Sequence, residues 1–140
     1  MADIALVAGE IGMVDPIKAR TRQMIAAATI TAGQVVYQDS AGKADLADGS
    51  SAGTAQVRGI ALNGGGAGQA INVLWDGEVE GFTITSLAYD ARVYLSDTAG
   101  ALADAAGTVA VTVGRVVAKS DSPTLTKVLQ IVVDHIAQYS

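Results

Sequence analysis

The fold is decided by the stretch Val93-Tyr94-Leu95-Ser96-Asp97-Thr98-Ala99-Gly100. Its apolar start favours a short β-strand, and the Asp and Gly that follow it favour a tight turn. A similar stretch stands earlier in the chain, with one residue fewer, as Val36-Tyr37-Gln38-Asp39-Ser40-Ala41-Gly42. The pattern therefore predicts two related hairpin units, in which the tyrosines pack and the aspartates form turns.

Short apolar runs alternate with turn residues across the rest of the chain. Residues 63–68 hold four Gly in six positions, which excludes a helix or a central strand there. Asp76-Gly77 predicts a turn between two further strands, with Trp75 in the core. We predict an all-β domain over residues 29–140, a small sandwich or barrel built from the two pseudo-repeated hairpin units.

The first part of the chain differs from this pattern, and we predict an extended N-terminal arm over residues 1–28. Gly9, Gly12 and Pro16 break any long element there. Ile4 and Leu6 lie in a short apolar run that could pair as a strand or dock on a neighbour. They are therefore candidate contacts to a partner protein or to another subunit.

Three basic residues follow in the same segment, at every second position. Lys18, Arg20 and Arg22 share one face if the chain is extended. One interpretation is a solvated edge. The other is a basic arm that contacts an acidic partner surface, ordering only on binding.

Composition limits the classes of function. The chain has 140 residues, enough for one domain, and 50% of them are hydrophobic although only 4% are aromatic. A net charge of −5 argues against nucleic acid and anionic membranes as partners. No residue is Cys, which excludes disulfides and thiolate metal sites. The apolar start lacks a basic n-region and no run is long enough for a membrane helix, so we expect synthesis in the cytoplasm.

One short motif of nucleophilic catalysis occurs. Gly49-Ser50-Ser51-Ala52-Gly53 matches G-x-S-x-G, yet a nucleophile elbow needs a strand before the Ser and a helix after it. A polar loop surrounds Ser51, and His135 is the one His of the chain. A flexible loop tip is the alternative that these surroundings favour over a serine hydrolase.

Carboxylates form one further pattern. Asp76, Glu78 and Glu80 alternate, so on a strand they would project together and could offer oxygens to a hard cation. A solvated acidic face is the simpler interpretation, because calcium-loop spacing is absent. The next alternative is an acidic face that contacts a basic partner. The sequence thus shows no activated nucleophile, acid/base pair or metal site, and we predict a protein that is not an enzyme and holds no cofactor.

Two longer stretches complete the pattern on which a family resemblance rests. They are Gly107-Thr108-Val109-Ala110-Val111-Thr112-Val113-Gly114-Arg115-Val116-Val117-Ala118 and Ala70-Ile71-Asn72-Val73-Leu74-Trp75-Asp76-Gly77-Glu78-Val79-Glu80-Gly81. With the two V-Y units, they resemble the small decoration, or cement, proteins of tailed-bacteriophage capsids. The resemblance covers residues 30 to 133.

The resemblance implies an all-β structural protein on the outer surface of the virion. Such proteins are commonly homotrimers that bridge neighbouring major capsid subunits and stabilise the assembled head. The implied partners are the major capsid protein and further copies of the chain itself. The alternative within the virion is a head-fibre base, a tail component or a host-binding module.

Overall fold

The computed structural model describes residues 2–119, 124–134, 136 and 138–139. Ten strands form one antiparallel sheet, which curls into a half-barrel. They are β1 (Gly12–Met13), β2 (Arg20–Ile25), β3 (Val35–Gln38), β4 (Ala44–Leu46), β5 (Val57–Ala61), β6 (Ala70–Glu80), β7 (Arg92–Leu95), β8 (Leu102–Ala103), β9 (Thr112–Lys119) and β10 (Thr126–Val132). In the described residues, helical turns are limited to the 3-10 segments Ala8–Glu10 and Ala52–Thr54. The predicted all-β class is confirmed.

The strand order is β4-β3-β5-β6-β10-β9-β7-β8, with β1 and β2 also paired to β6. The long strand β6 therefore organises the sheet. Asp76 of β6 pairs with Arg20 of β2 on one side and with Val132 of β10 on the other. Leu74 likewise lies between β2 and Ile60 of β5. It follows that β5 and β10 succeed each other along one edge of β6, and β1 and β2 line the opposite edge.

The predicted turn at Asp76-Gly77 is wrong, because β6 runs through it without a break from Ala70 to Glu80. The pairing shifts here, so that Trp75 is an extra residue on β6 opposite β2. Such a β-bulge bends a strand and re-aims its side chains. A Cβ on Gly77 would lie 3.1 Å from the Cα of Ala19, so the glycine admits the chain that enters β2.

Two clusters of apolar side chains hold the sheet together. The larger one includes Val35, Ile60, Leu74, Leu95, Leu129 and Ile131, drawn from both ends of the strand order. The smaller one includes Met24, Ala26, Ile30, Val36, Ile71 and Val73. Neighbouring residues of one strand enter different clusters because successive side chains of a strand point to opposite faces.

The bulge decides where Trp75 packs. Ile71 and Val73 belong to the smaller cluster, whereas Trp75 packs against the larger one with Leu74. The alternation of Ile71, Val73 and Trp75 in the sequence predicts one shared face for the three side chains, and this prediction is wrong for Trp75. The extra residue of the bulge reverses the alternation of side chains between the two faces of β6. The sequence pattern alone does not show this bulge.

The N-terminal segment is hydrogen-bonded to the sheet over much of its length. The Ile4 N–H donates to the Leu102 carbonyl of β8 (2.8 Å), and the Ala27 N–H donates to the Ala44 carbonyl of β4 (2.7 Å). Between these points β1 and β2 pair with β6. A boundary at residue 28, with an arm standing apart from the β-domain, is thus not confirmed.

The two Asp-Gly turns are closed by different side chains. The Asp39 carboxylate accepts hydrogen bonds from the Ala41 and Lys43 N–H groups, both at 2.9 Å, so it caps its own turn. The Asp97 carboxylate instead accepts from the Thr108 N–H (2.9 Å) and hydroxyl (2.7 Å), which joins its turn to a distant loop. The predicted turn-forming role is therefore seen for the Asp39 carboxylate, whereas the Asp97 carboxylate joins its turn to the loop at Thr108.

Candidate interaction surface

The two apolar candidate contact residues of the N-terminal segment lie against their own domain. Ile4 is 9% exposed and belongs to the larger core cluster. Leu6 is partly buried and forms a bridge with Phe82. Ile4 thus packs in the core of its own domain, and Leu6 is covered by that domain in part.

The three basic candidates lie elsewhere, on or beside β2. Lys18, Arg20 and Arg22 are exposed, and so are all residues of β2 except Met24. No carboxylate of the described residues lies within ion-pair distance of these three cations. The charge spacing in the sequence singled out this group, and the structure places it along one edge of the sheet. We call the segment 18–25 the basic edge.

The guanidinium of Arg20 contacts an aromatic ring. Its central carbon lies 5.6 Å from the ring centroid of Trp75, within the range of a cation–π interaction. Asp76 is the register partner of Arg20. The ring contact orients Arg20 on the surface without neutralising its charge, so the charge is available to another molecule.

The acidic side chains of β6 lie at alternating positions, as the spacing predicts. Asp76 and Glu78 are partly buried and Glu80 is exposed. The Glu80 carboxylate lies 3.9 Å from the Lys119 ammonium. The described residues contain no group of carboxylates and imidazoles that could hold a metal ion.

The G-x-S-x-G loop is held together by a carboxylate. Asp48 accepts hydrogen bonds from the Ser50 N–H and hydroxyl and from the Thr54 hydroxyl (3.0 Å). Burial raises the pKa of Asp48, but these hydrogen bonds outweigh it and leave the pKa below its usual value. The Ser51 hydroxyl lies 3.1 Å from that of Thr54. His135, the other residue considered for nucleophilic chemistry, lies outside the described residues.

An apolar groove of about 420 Å³ lies near one end of β10. Its walls include Phe82, Ile84, Tyr89 and Leu125, of which Tyr89 is 44% and Leu125 60% exposed. The Lys127 ammonium donates to the Leu87 carbonyl at 2.6 Å. Sequence reasoning missed this groove, because its walls come from two distant segments, 82–89 and 125–127, and no local motif marks either of them.

A contact near the C-terminus was missed for the same reason. The Gln56 side-chain amide donates to the Tyr139 carbonyl (2.7 Å), and the Tyr139 N–H donates to the Gln56 side-chain oxygen (3.0 Å). Burial, with the nearby charge of Asp134, raises the pKa of the Tyr139 phenol. This two-way amide contact fixes the end of the chain beside β5.

Comparison with protein-family models, curated proteins and solved structures finds no match to this chain. Within the described part of the chain, no helix has the length and apolarity needed to cross a membrane.

Proposed function

We propose that the chain is a structural virion protein of a tailed bacteriophage, without enzymatic activity. In this proposal it binds the outer capsid surface and stabilises the assembled head by bridging major capsid subunits. The observation that carries the proposal is that the motifs form the sheet, while a separate basic segment lies exposed at its surface. The stretches that resemble decoration proteins form the paired strands β3, β6, β7 and β9, whereas the basic edge pairs with β6 on one side only and keeps its cations exposed.

The two V-Y units support a structural origin by duplication. The strand order β4-β3-β5-β6 is repeated in reverse on the other side as β10-β9-β7-β8. The pairing register shifts directly after Val36 in β3 and directly after Val93 in β7. Two four-stranded units that meet at β6 and β10 explain both features, and we include this duplication in the proposal.

The turns of the two units support the same reading. The Asp39 N–H donates to the Lys43 carbonyl (2.8 Å), and the Ser96 N–H donates to the Ala101 carbonyl (3.1 Å). The second turn is longer by one residue, which is the difference between the two sequence stretches. Gly42 and Gly100 both have positive φ, at 82° and 77°, and close the respective turns.

A rigid sheet suits a protein that must hold a pressurised shell together. A cement protein adds association free energy at subunit boundaries, and a stable interface of this kind buries about 1,200 to 2,000 Å². Many copies act on one head, so modest affinity per copy is enough. As a homo-oligomer, a trimer in this proposal, the chain would contact several capsid subunits at once.

A second candidate is a head-fibre base, tail component or host-binding module. The groove beside Tyr89 and Leu125 favours it, because an exposed apolar groove with one polar end suits a ligand or a docked segment. The position of the protein on the particle separates the two candidates. Gold-labelled antibody should decorate the whole head of a virion if the chain is a cement protein. Label confined to the tail or to one vertex would refute that function.

A further inference from the structure

The outer side of β2 is an open sheet edge as far as Gln23. β2 pairs with β6 on its inner side. On its outer side, the described residues show one parallel bridge, between Ala26 directly after β2 and Ala44 of β4. The two end strands of the sheet order are covered in part by the N-terminal segment. The Ile4 N–H donates to a carbonyl of β8, and the Ala27 N–H donates to a carbonyl of β4. The open side of β2 thus offers backbone donors and acceptors to an added strand.

Hydrogen bonds around β6 show which of its backbone groups are directed to β2. The Ala26 N–H donates to the Gln69 carbonyl at 2.9 Å, on the β2 side. The Asn72 carbonyl accepts from the Leu62 N–H at 2.8 Å, on the β5 side. Because backbone direction alternates along a strand, residues 69, 71 and 73 are directed to β2 and residues 70, 72 and 74 to β5.

The register then identifies the free backbone groups of β2. Arg22 pairs with residue 73 and Met24 with residue 71, so both bond to β6. The residues that alternate with them direct N–H and C=O groups to the outer side. Of these, Thr21 and Gln23 are exposed and lie before the bridge between Ala26 and Ala44, which uses the outer side next to Ile25.

Charge decides which strand this edge accepts. Arg20 and Arg22 have no ion pair with the described residues, and Lys18 adds a third positive charge nearby. If two copies paired through β2, these cations would lie close together, and like charges across strands are destabilising. The edge therefore disfavours a second copy of itself and favours a strand rich in Asp or Glu.

We propose that the outer edge of β2 binds an extended acidic segment of a partner protein as an added β-strand. Backbone groups of Thr21 and Gln23 would supply the hydrogen bonds, and Arg20 and Arg22 would select the acidic side chains. Within the virion this rests on the proposed function, since the acidic strand would belong to the major capsid protein. As a property of the edge, it is testable without a capsid.

Three labelled ten-residue peptides test the edge. All three have Val or Thr at every second position. At the positions between, the first peptide carries Glu, the second Gln and the third Lys. Fluorescence anisotropy at low ionic strength measures their binding to the full chain. The Glu peptide should bind at least about tenfold more tightly than the Lys peptide, and added salt should reduce the difference. Failure of the Glu peptide to bind, or equal binding of all three peptides, would overturn the proposal.

Two substitutions at one position isolate the backbone contact. Gln23→Pro removes an N–H that faces the open side, while Gln23→Ala keeps it. Gln23→Pro should weaken binding of the Glu peptide at least about fivefold, and Gln23→Ala should leave it unchanged. A circular dichroism melt checks that both variants are folded. Unchanged affinity in a folded Gln23→Pro variant would exclude strand addition at this edge.

Capsid binding by the same variants separates this inference from the proposed function. If the wild-type chain binds capsids and Gln23→Pro binds them equally well, the capsid function stands and the strand-addition site is refuted. If the Glu peptide binds but capsids do not, the edge proposal stands and the capsid function is refuted.

Discussion

Gly59 of β5 and Gly114 of β9 each lie against a carbonyl oxygen of the neighbouring strand. A Cβ on Gly59 would be 2.2 Å from the Leu74 oxygen, and a Cβ on Gly114 would be 2.0 Å from the Gln130 oxygen. Neither position has room for a side chain, because the obstructing atoms belong to the backbone. Two such close approaches, one in each half of the strand order, are what the proposed duplication predicts.

Substitution of either glycine should therefore destabilise the sheet. Gly114→Ala requires β9 and β10 to separate, and we expect a loss of about 2 to 3 kcal/mol in the free energy of unfolding. Urea unfolding measures it. Gly53→Ala is the control, because no heavy atom lies within 4 Å of the Cβ it adds. Equal stability of the two variants would show that the close approach is not a packing constraint.

The N-terminal residues should contribute to folding stability. Ile4 is 9% exposed, whereas Ile17 is 94% exposed. Ile4→Ala should lower the free energy of unfolding by about 2 kcal/mol, and Ile17→Ala should change it by less than about 0.5 kcal/mol. Thermal melts of both variants test this. If Ile4→Ala melted with the wild type, residues 2–4 would not be part of the cooperative fold.

Asp48 should make stability depend on pH. Because its pKa is lowered in the folded state, its contribution is present above the unfolded-state pKa and is lost as the pH falls through the folded-state pKa. Asp48→Asn should then cost less than about 1 kcal/mol at neutral pH, since the side chain is largely solvated. At a pH below the folded-state pKa, the variant and wild type should converge. Urea unfolding over a series of falling pH values checks this, and a cost that does not change with pH would exclude a role for the charge.

The basic edge should govern the salt dependence of capsid binding. The double variant Arg20→Ala/Arg22→Ala should fold normally, bind capsids more weakly, and show a smaller loss of affinity as salt is added. Lys43→Ala/Arg92→Ala also removes two positive charges, so its net charge is the same. It is a suitable control because both sites are exposed and lie off β2. Sedimentation of capsids with bound protein gives the affinities. Equal behaviour of the two double variants would mean that only net charge matters.

Local patterns were enough to predict the class of fold. Short Val-rich runs separated by Gly and Asp gave strands, and most runs from residue 35 onward became strands in the structure. The same reasoning missed β4, whose Ala44–Leu46 resembles its loop in composition. It also placed a turn at Asp76-Gly77, where a bulge and a neighbouring chain use the glycine inside a strand.

The surface was harder to predict, because exposure depends on pairing between distant residues. Lys18, Arg20 and Arg22 stood out by charge alone, and they are exposed. The apolar character of Ile4 and Leu6 is the same for packing within the domain and for contact with a partner, so the sequence does not distinguish the two. Their partners, Leu102 and Phe82, are more than 70 positions away and no local pattern indicates them.

Capsid stability is the decisive quantity for the proposed function. Heads assembled without this protein can be heated alone and after addition of the purified chain, with DNA release and calorimetry as readouts. We expect the chain to bind at many sites per head and to raise the temperature at which heads release DNA. A folded chain that does not bind, or that binds without changing the release temperature, would contradict a role in capsid stabilisation.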